Sequence, residues 1–230
     1  MTSAAALTIG QFMTRLESSA RLFACLLSAL AGFVDAIGFI RSGGFFVSFM
    51  SGNSTRLAVG GVRALHDASV AGGLILCFLA GVVGGALLGS RFDRRRPAAV
   101  LVLIAALLAA AALLEAHSAF VVALALLAFA MGAENAVFEQ GGEVRIGLTY
   151  MTGSLVRVGN GIAGAMLGRS GGGWFGYLLL WLGFMAGAVL GALSYGSGNS
   201  ATLWAASGAA LTLAVASLRL FAGASRTAGV

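Results

Sequence analysis

The sequence predicts an all-α polytopic membrane protein. It has six transmembrane helices built from two inverted three-helix repeats, each with a broken or re-entrant polar segment after its first helix. Three observations lead there. The 230 residues are 59% hydrophobic and only 10% charged, against roughly 25% charged in a soluble domain, so the chain lacks the polar surface to cover itself in water. Its apolar residues fall into six runs, each near the roughly 20 residues that cross a bilayer as helix. Segments of the first half also recur, in order, in the second.

The runs are residues 22–40, 69–90, 97–114, 118–138, 171–195 and 201–218. The first resembles a signal peptide, because Arg15 and Arg21 precede it and Ala29, Leu30 and Ala31 mimic a cleavage site. It has an internal counterpart in the fourth run, however, and is expected to remain in the mature protein. Arginine placement sets the orientation. Arg15 and Arg21 precede the first run, Arg91, Arg94, Arg95 and Arg96 lie between the second and third, and Arg219 and Arg226 follow the sixth. With six spans all of these fall on one side, so both termini are expected in the cytoplasm, with residues 1–17 as a cytoplasmic tail. Arg41, Arg56 and Arg63 fall on the other side and are not expected to be ordinary loop residues. An eight-span alternative would make both polar segments full crossings, but it would put the Arg91 to Arg96 cluster outside.

The repeat is read from three matches. Gly32-Phe33-Val34-Asp35-Ala36 recurs as Gly132-Ala133-Glu134-Asn135-Ala136 at an offset of 100. Met50-Ser51-Gly52-Asn53-Ser54-Thr55-Arg56 recurs as Met151-Thr152-Gly153-Ser154-Leu155-Val156-Arg157 at an offset of 101. The stretch 78–87 matches 184–193 at seven of ten positions, offset 106. The chain is thus one transmembrane domain, 1–230, of two units at about 18–117 and 118–222. Three spans per unit is an odd number, so the second copy enters the membrane from the opposite side. The polar segments 43–63 and 141–168 are too interrupted to be clean spans and are expected as broken or re-entrant helices against a cavity, where irregular backbone is tolerated at membrane depth.

Composition excludes several classes. Cys25 and Cys77 sit in apolar stretches and offer neither a disulfide framework nor a zinc spacing. The net charge of +6 comes from arginines at the ends of apolar runs, not from a basic stripe with interleaved aromatics, so nucleic acid is not an expected partner. Gly159 to Gly164 spells a dinucleotide-type glycine pattern without the βαβ context it needs. His66 and His117 are lone histidines in connections. Trp174, Tyr177 and Tyr195 flank the fifth run as an interface belt would. No cofactor, metal site or catalytic constellation is expected.

The residues Gly32 to Ala36, followed by Phe46-Val47-Ser48-Phe49-Met50-Ser51-Gly52-Asn53-Ser54-Thr55-Arg56, resemble the signature of the YoaK-like family of bacterial inner-membrane proteins. The resemblance covers essentially the whole chain, with Ser51 standing where the family pattern has Thr. It implies a bacterial inner-membrane location and a family of unknown function, some of whose members are called small-molecule permeases by inference. It implies no substrate.

Ionisable groups inside spans are costly and mark functional candidates. Asp35 is the only charge in the first run, and Ser28, Gly32, Asp35 and Phe39 share one helical face. Its counterpart in the fourth run is Asn135, on a face with Gly132, and Glu134 lies one position away. Asp35 and Glu134 are therefore candidates for coupling to a proton or cation, with a purely structural use of Asp35 as the competing reading. In the polar segments, Ser51 or Thr152 would cap a half-helix and Gly52 or Gly153 would let the backbone approach a ligand. Free N–H groups at such starts suit an anion, and Arg56 or Arg157, one turn on, would add charge or else snorkel to headgroups. The candidate substrate-binding set is Asp35, Ser51, Gly52, Asn53, Arg56, Asn135, Thr152, Gly153, Ser154 and Arg157. Gly81 and Gly85 in the second run and Gly187 and Gly191 in the fifth carry small-residue spacings that let helices approach closely. These two helices are expected to pack together near the pseudo-two-fold axis, with a homodimer interface as the competing use.

The leading expectation is a permease for a small polar or anionic solute. A passive channel and a non-transporting membrane enzyme or sensor are the alternatives.

Overall fold

The computed structural model describes residues 18–92, 95–116, 120–140, 143–144, 146–168, 173–195 and 201–222. The expected tail 1–17, the unit boundary at 117/118 and Arg15, Arg94 and Arg226 lie outside them. Six helices are long and apolar enough to span a membrane, in agreement with the six runs: α1 (Ser18–Ser42), α3 (Leu65–Arg91), α4 (Arg96–Ala116), α5 (Phe120–Glu134, continued by the 3-10 turn Asn135–Phe138), α7 (Trp174–Tyr195) and α8 (Ala201–Ala222). Two shorter helices occupy the polar segments, α2 (Met50–Arg63) and α6 (Met151–Met166). With 14 and 16 residues at 1.5 Å rise each, they fall short of the roughly 30 Å hydrocarbon layer. A two-residue hairpin pairs Glu139–Gln140 (β1) with Glu143–Val144 (β2) before α6.

Backbone contacts at glycine organise the bundle. In α7, Gly183, Gly187 and Gly191 lie against the carbonyls of Cys25, Ala29 and Phe33 in α1, and Gly32 of α1 lies against the Phe184 carbonyl in return. In α3, Gly81 and Gly85 lie against Phe129 and Ala133 of α5, and Gly132 of α5 lies against the Phe78 carbonyl. Residue numbers rise together in both contacts, so each pair runs parallel. The absence of side chains at these crossings lets backbones meet directly.

The expected packing of α3 on α7 is therefore corrected. Their glycines do serve close helix packing, but each helix takes as its partner the first helix of the other unit. The reason is complementary: Gly32 and Gly132 supply the matching small surface that a second stripe of glycines in α3 or α7 would only duplicate. A third pair, α4 with α8, packs behind them and is tied by the Ser207 hydroxyl, which donates to the Ala105 carbonyl at 2.8 Å.

The helix ends meet consistently. Arg41 at the end of α1 forms an ion pair with Glu115 at the end of α4 (3.0 Å). Its guanidinium also lies 5.6 Å from the Phe120 ring centroid at the start of α5 and 5.9 Å from that of Tyr195 at the end of α7. Thus α1, α4 and α7 run toward this end and α5 runs away from it. Arg96 and Glu139 pair at 2.6 Å at the start of α4 and the close of the 3-10 turn. The hydrophobic core lies between α1, α5, α4 and α8, around Leu27, Ile37, Leu101, Ile104, Leu108 and Met131, and α2 and α6 seat on α3 and α7 respectively.

Candidate functional site

The chain reverses into α2 through Gly43 and Gly44, whose φ values of 72° and 114° favour glycine because a Cβ would clash there. The loop Phe45–Ser48 then runs back along α1, where Asp35 receives it. The Asp35 Oδ1 accepts the backbone N–H groups of Val47 at 2.8 Å and Ser48 at 2.7 Å. Asn53, fully buried, completes the turn: its side-chain amide donates to the Phe46 carbonyl (2.6 Å) while its oxygen accepts the Phe46 N–H (3.1 Å). A single side chain thereby does for Phe46 what a neighbouring strand would do.

The second loop is held differently. The Thr149 hydroxyl donates to the Asn135 Oδ1 at 3.2 Å, and the Asn135 amide donates to the carbonyls of Met131 (3.1 Å) and Gly132 (3.4 Å). Ser28 of α1 donates to the Leu148 carbonyl at 3.2 Å.

These two loops deliver the starts of α2 and α6 to one cavity of about 380 Å³, lined by Ser48 to Ser51, Phe78 and Thr149 to Gly153. Its size suits a small ligand, since ligand pockets begin near ~300 Å³. Four consecutive lining positions, 48 to 51, correspond to 149 to 152 at the repeat offset of 101. The helix caps are Phe49 and Tyr150, neither of which makes a side-chain capping bond. The expectation that Ser51 or Thr152 caps a half-helix is corrected accordingly. The Met50 and Met151 amides turn back onto the carbonyls of Ser48 and Thr149 (3.1 and 3.0 Å), and each helix starts two residues too early for those hydroxyls to serve as caps. Ser51 and Thr152 stand in the first turn instead, at the cavity wall, and the first-turn amides have no side-chain cap.

Of the expected site residues, Ser51, Thr152 and Gly153 line the cavity. Asp35, Asn53 and Asn135 stand behind the wall and hold the loops; Asp35 also lines a separate groove between α1 and α7 with Gly32, Phe46 and Phe184. Gly52 sits against the rings of Phe46 and Phe49, and Ser154 is buried in the first turn of α6. Arg56 and Arg157 are not among the lining residues. Arg56 lies 4.6 Å over the Phe45 ring and Arg157 4.9 Å over the Tyr177 ring, matching cation–π contacts that turn both guanidinium groups to aromatic faces.

Ser48, Phe49, Thr149 and Tyr150 were not singled out from the sequence. The signal was present, because each pair sits at the same offset as the Met50 to Arg56 repeat. Among the described residues no three His, Cys, Asp or Glu side chains gather to hold a metal.

Residues 23–216 match the family described as "Protein of unknown function (DUF1275)". The chain belongs to that family. It is also 40% identical over 197 residues to the UPF0700 transmembrane protein RA0705 of Rhizobium meliloti (strain 1021), with 84% of each chain covered. The family match spans both units, all six long helices in part or whole and both half-helices, so the cavity lies wholly within the family region. No solved structure matches the chain. The resemblance to the YoaK-like signature agrees with membership of this uncharacterised membrane family.

Proposed function

We propose that the protein is a permease of the bacterial inner membrane, with both termini cytoplasmic, that binds a small polar or anionic solute between the starts of α2 and α6. The observation that carries this reading is the single cavity walled by corresponding residues of the two polar segments. The opposed courses of the two units support an inverted-repeat permease, because a site at the meeting of two inverted units can be reached alternately from either side.

The wall presents hydroxyls, thioethers and aromatic rings, and no carboxylate, imidazole or thiol lines it. That composition suits binding and release, not bond making. Positive character comes from the dipoles of the two helix starts, whose first-turn residues line the cavity. It does not come from Arg56 and Arg157, which face rings.

Thermal unfolding of the purified protein against chloride, nitrate, acetate, phosphate and sulfate tests the reading, run beside Thr152→Val. A ligand that binds only the folded state raises the unfolding midpoint by mass action. The expected result is that at least one anion stabilises wild type and loses its effect in the variant. Stabilisation that survives in Thr152→Val and in Ser51→Ala alike rejects the site. A flux that stays linear to high concentration and ignores an imposed gradient identifies a channel instead.

A further inference from the structure

Two carboxyls lie deep within the spans, Asp35 and Glu134, and their surroundings differ. Asp35 is engaged by the loop that leads to α2. Glu134 is 0% exposed, and neither of its carboxyl oxygens has a hydrogen-bond partner. Buried polar groups are almost always hydrogen-bonded, and acids inside spans are costly, so this exception needs a reason. Packing does not supply one, because the corresponding position in α1 is filled by Val34, also 0% exposed.

Charge pairing does not supply one either. The charged and titratable groups on the elements packed against α5 are His66, Asp67, Cys77 and Arg91 of α3, Arg96 and Glu115 of α4, and Arg21, Cys25, Asp35 and Arg41 of α1, with Glu139 beyond the 3-10 turn. None forms an ion pair or hydrogen bond with Glu134. A metal cation would require several oxygen ligands at once, and the Glu134 carboxyl has no companion of that kind among the described residues. A proton requires one oxygen.

We propose that Glu134 is an intramembrane proton-binding site that couples proton movement to the cavity between α2 and α6. The proposal rests on the permease reading and names its coupling ion. Glu134 is the last residue of α5, where the helix tightens into the 3-10 turn beginning at Asn135. Asn135 holds Thr149, and Thr149 lines the cavity. A carboxylate charge at Glu134 finds no donor where it stands, so loss of the proton demands that the junction bring a donor or water to it. The cycle balances without another reactant: one proton from one side binds a carboxylate oxygen of Glu134 and leaves to the other.

The test uses the full chain with Cys25→Ala and Cys77→Ala, carrying Ser51→Cys in the cavity wall. A membrane-impermeant thiol reagent is applied to right-side-out and inverted vesicles at pH 5 and pH 9. The ratio of labelling rates from the two sides cancels the thiolate's own pH dependence. It is expected to change at least tenfold with pH in this background, to become independent of pH with Glu134→Gln, and to retain pH dependence with a displaced midpoint with Glu134→Asp. Asp35→Asn is expected to keep the pH dependence. A pH-dependent ratio that persists in Glu134→Gln, or a ratio that never varies in the background, overturns the proton site while leaving the cavity intact. A thiol at position 51 that reacts from neither side at either pH rejects the cavity reading itself, and the coupling with it.

Discussion

The Ser48 amide meets the Asp35 Oδ1 at 2.7 Å, and the Val47 amide shares the same oxygen at 2.8 Å. One buried carboxyl thus terminates two backbone donors that have no strand or helix to receive them. The matching position in the second unit, Asn135, receives a hydroxyl instead of two amides.

Removing this acceptor leaves two buried amides unsatisfied. Asp35→Ala is expected to lower unfolding stability by about 2–4 kcal/mol, from two buried amides left without an acceptor, whereas Asp35→Asn keeps an acceptor oxygen and loses less than half of that. Equilibrium unfolding in a denaturing detergent series measures both. Equal losses in the two variants would contradict the hydrogen-bonding role.

The glycine crossings respond to added bulk according to their partner. Gly32→Ala, Gly132→Ala and Gly81→Ala each drive a methyl into a facing backbone carbonyl and are expected to cost roughly 1–3 kcal/mol or more, as overpacking does. Gly208→Ala has nothing within 4 Å and is expected to gain up to ~1 kcal/mol of helix propensity. The same unfolding series should rank them in that order.

The Arg41–Glu115 pair joins two helix ends, with the Glu115 side chain 4% exposed. Glu115→Ala is expected to destabilise by about 3 kcal/mol, because it strands a partly buried guanidinium. Arg41→Lys is expected to be poorly tolerated too, since an ammonium does not reproduce the flat contact with Phe120 and Tyr195. Additive losses in the Arg41→Ala, Glu115→Ala double variant would show that the two side chains act independently.

Gly153 lines the cavity and has open space where a Cβ would stand. Gly153→Phe should therefore fold with a nearly unchanged unfolding midpoint while filling the site, abolishing the midpoint shift produced by whichever panel anion stabilises wild type. A retained shift would mean that solute binds elsewhere.

The six spans were legible because bilayer thickness imposes a length on every apolar run, and the half-helices because their polar residues interrupt that length. The partners of α3 and α7 were not. A glycine stripe licenses close approach but says nothing of which helix approaches, and the answer lay in Gly32 and Gly132, read from the sequence only as repeat markers. Arg56 and Arg157 misled for a related reason. Their spacing from the helix starts is fixed by sequence, but the rings that receive them lie outside those helices, Phe45 in the loop before α2 and Tyr177 in α7. Ser48 and Thr149 share the repeat offset, but each precedes its helix and is not an identical pair, so the match reads as ending at Met50 and Met151.

The glycine contacts divide the membrane core along a seam. Backbone-to-backbone contact at glycine joins α1 to α7 on one flank and α3 to α5 on the other. The half-helix α6 rides on α7 and α2 rides on α3, so the two cavity walls belong to different flanks. Asp35, on one flank, grips the loop into the half-helix seated on the other, and Asn135 does the converse through Thr149. Any shear between the flanks must therefore act on both grips and on the cavity together, because the cavity sits on the seam that the two glycine-packed pairs share.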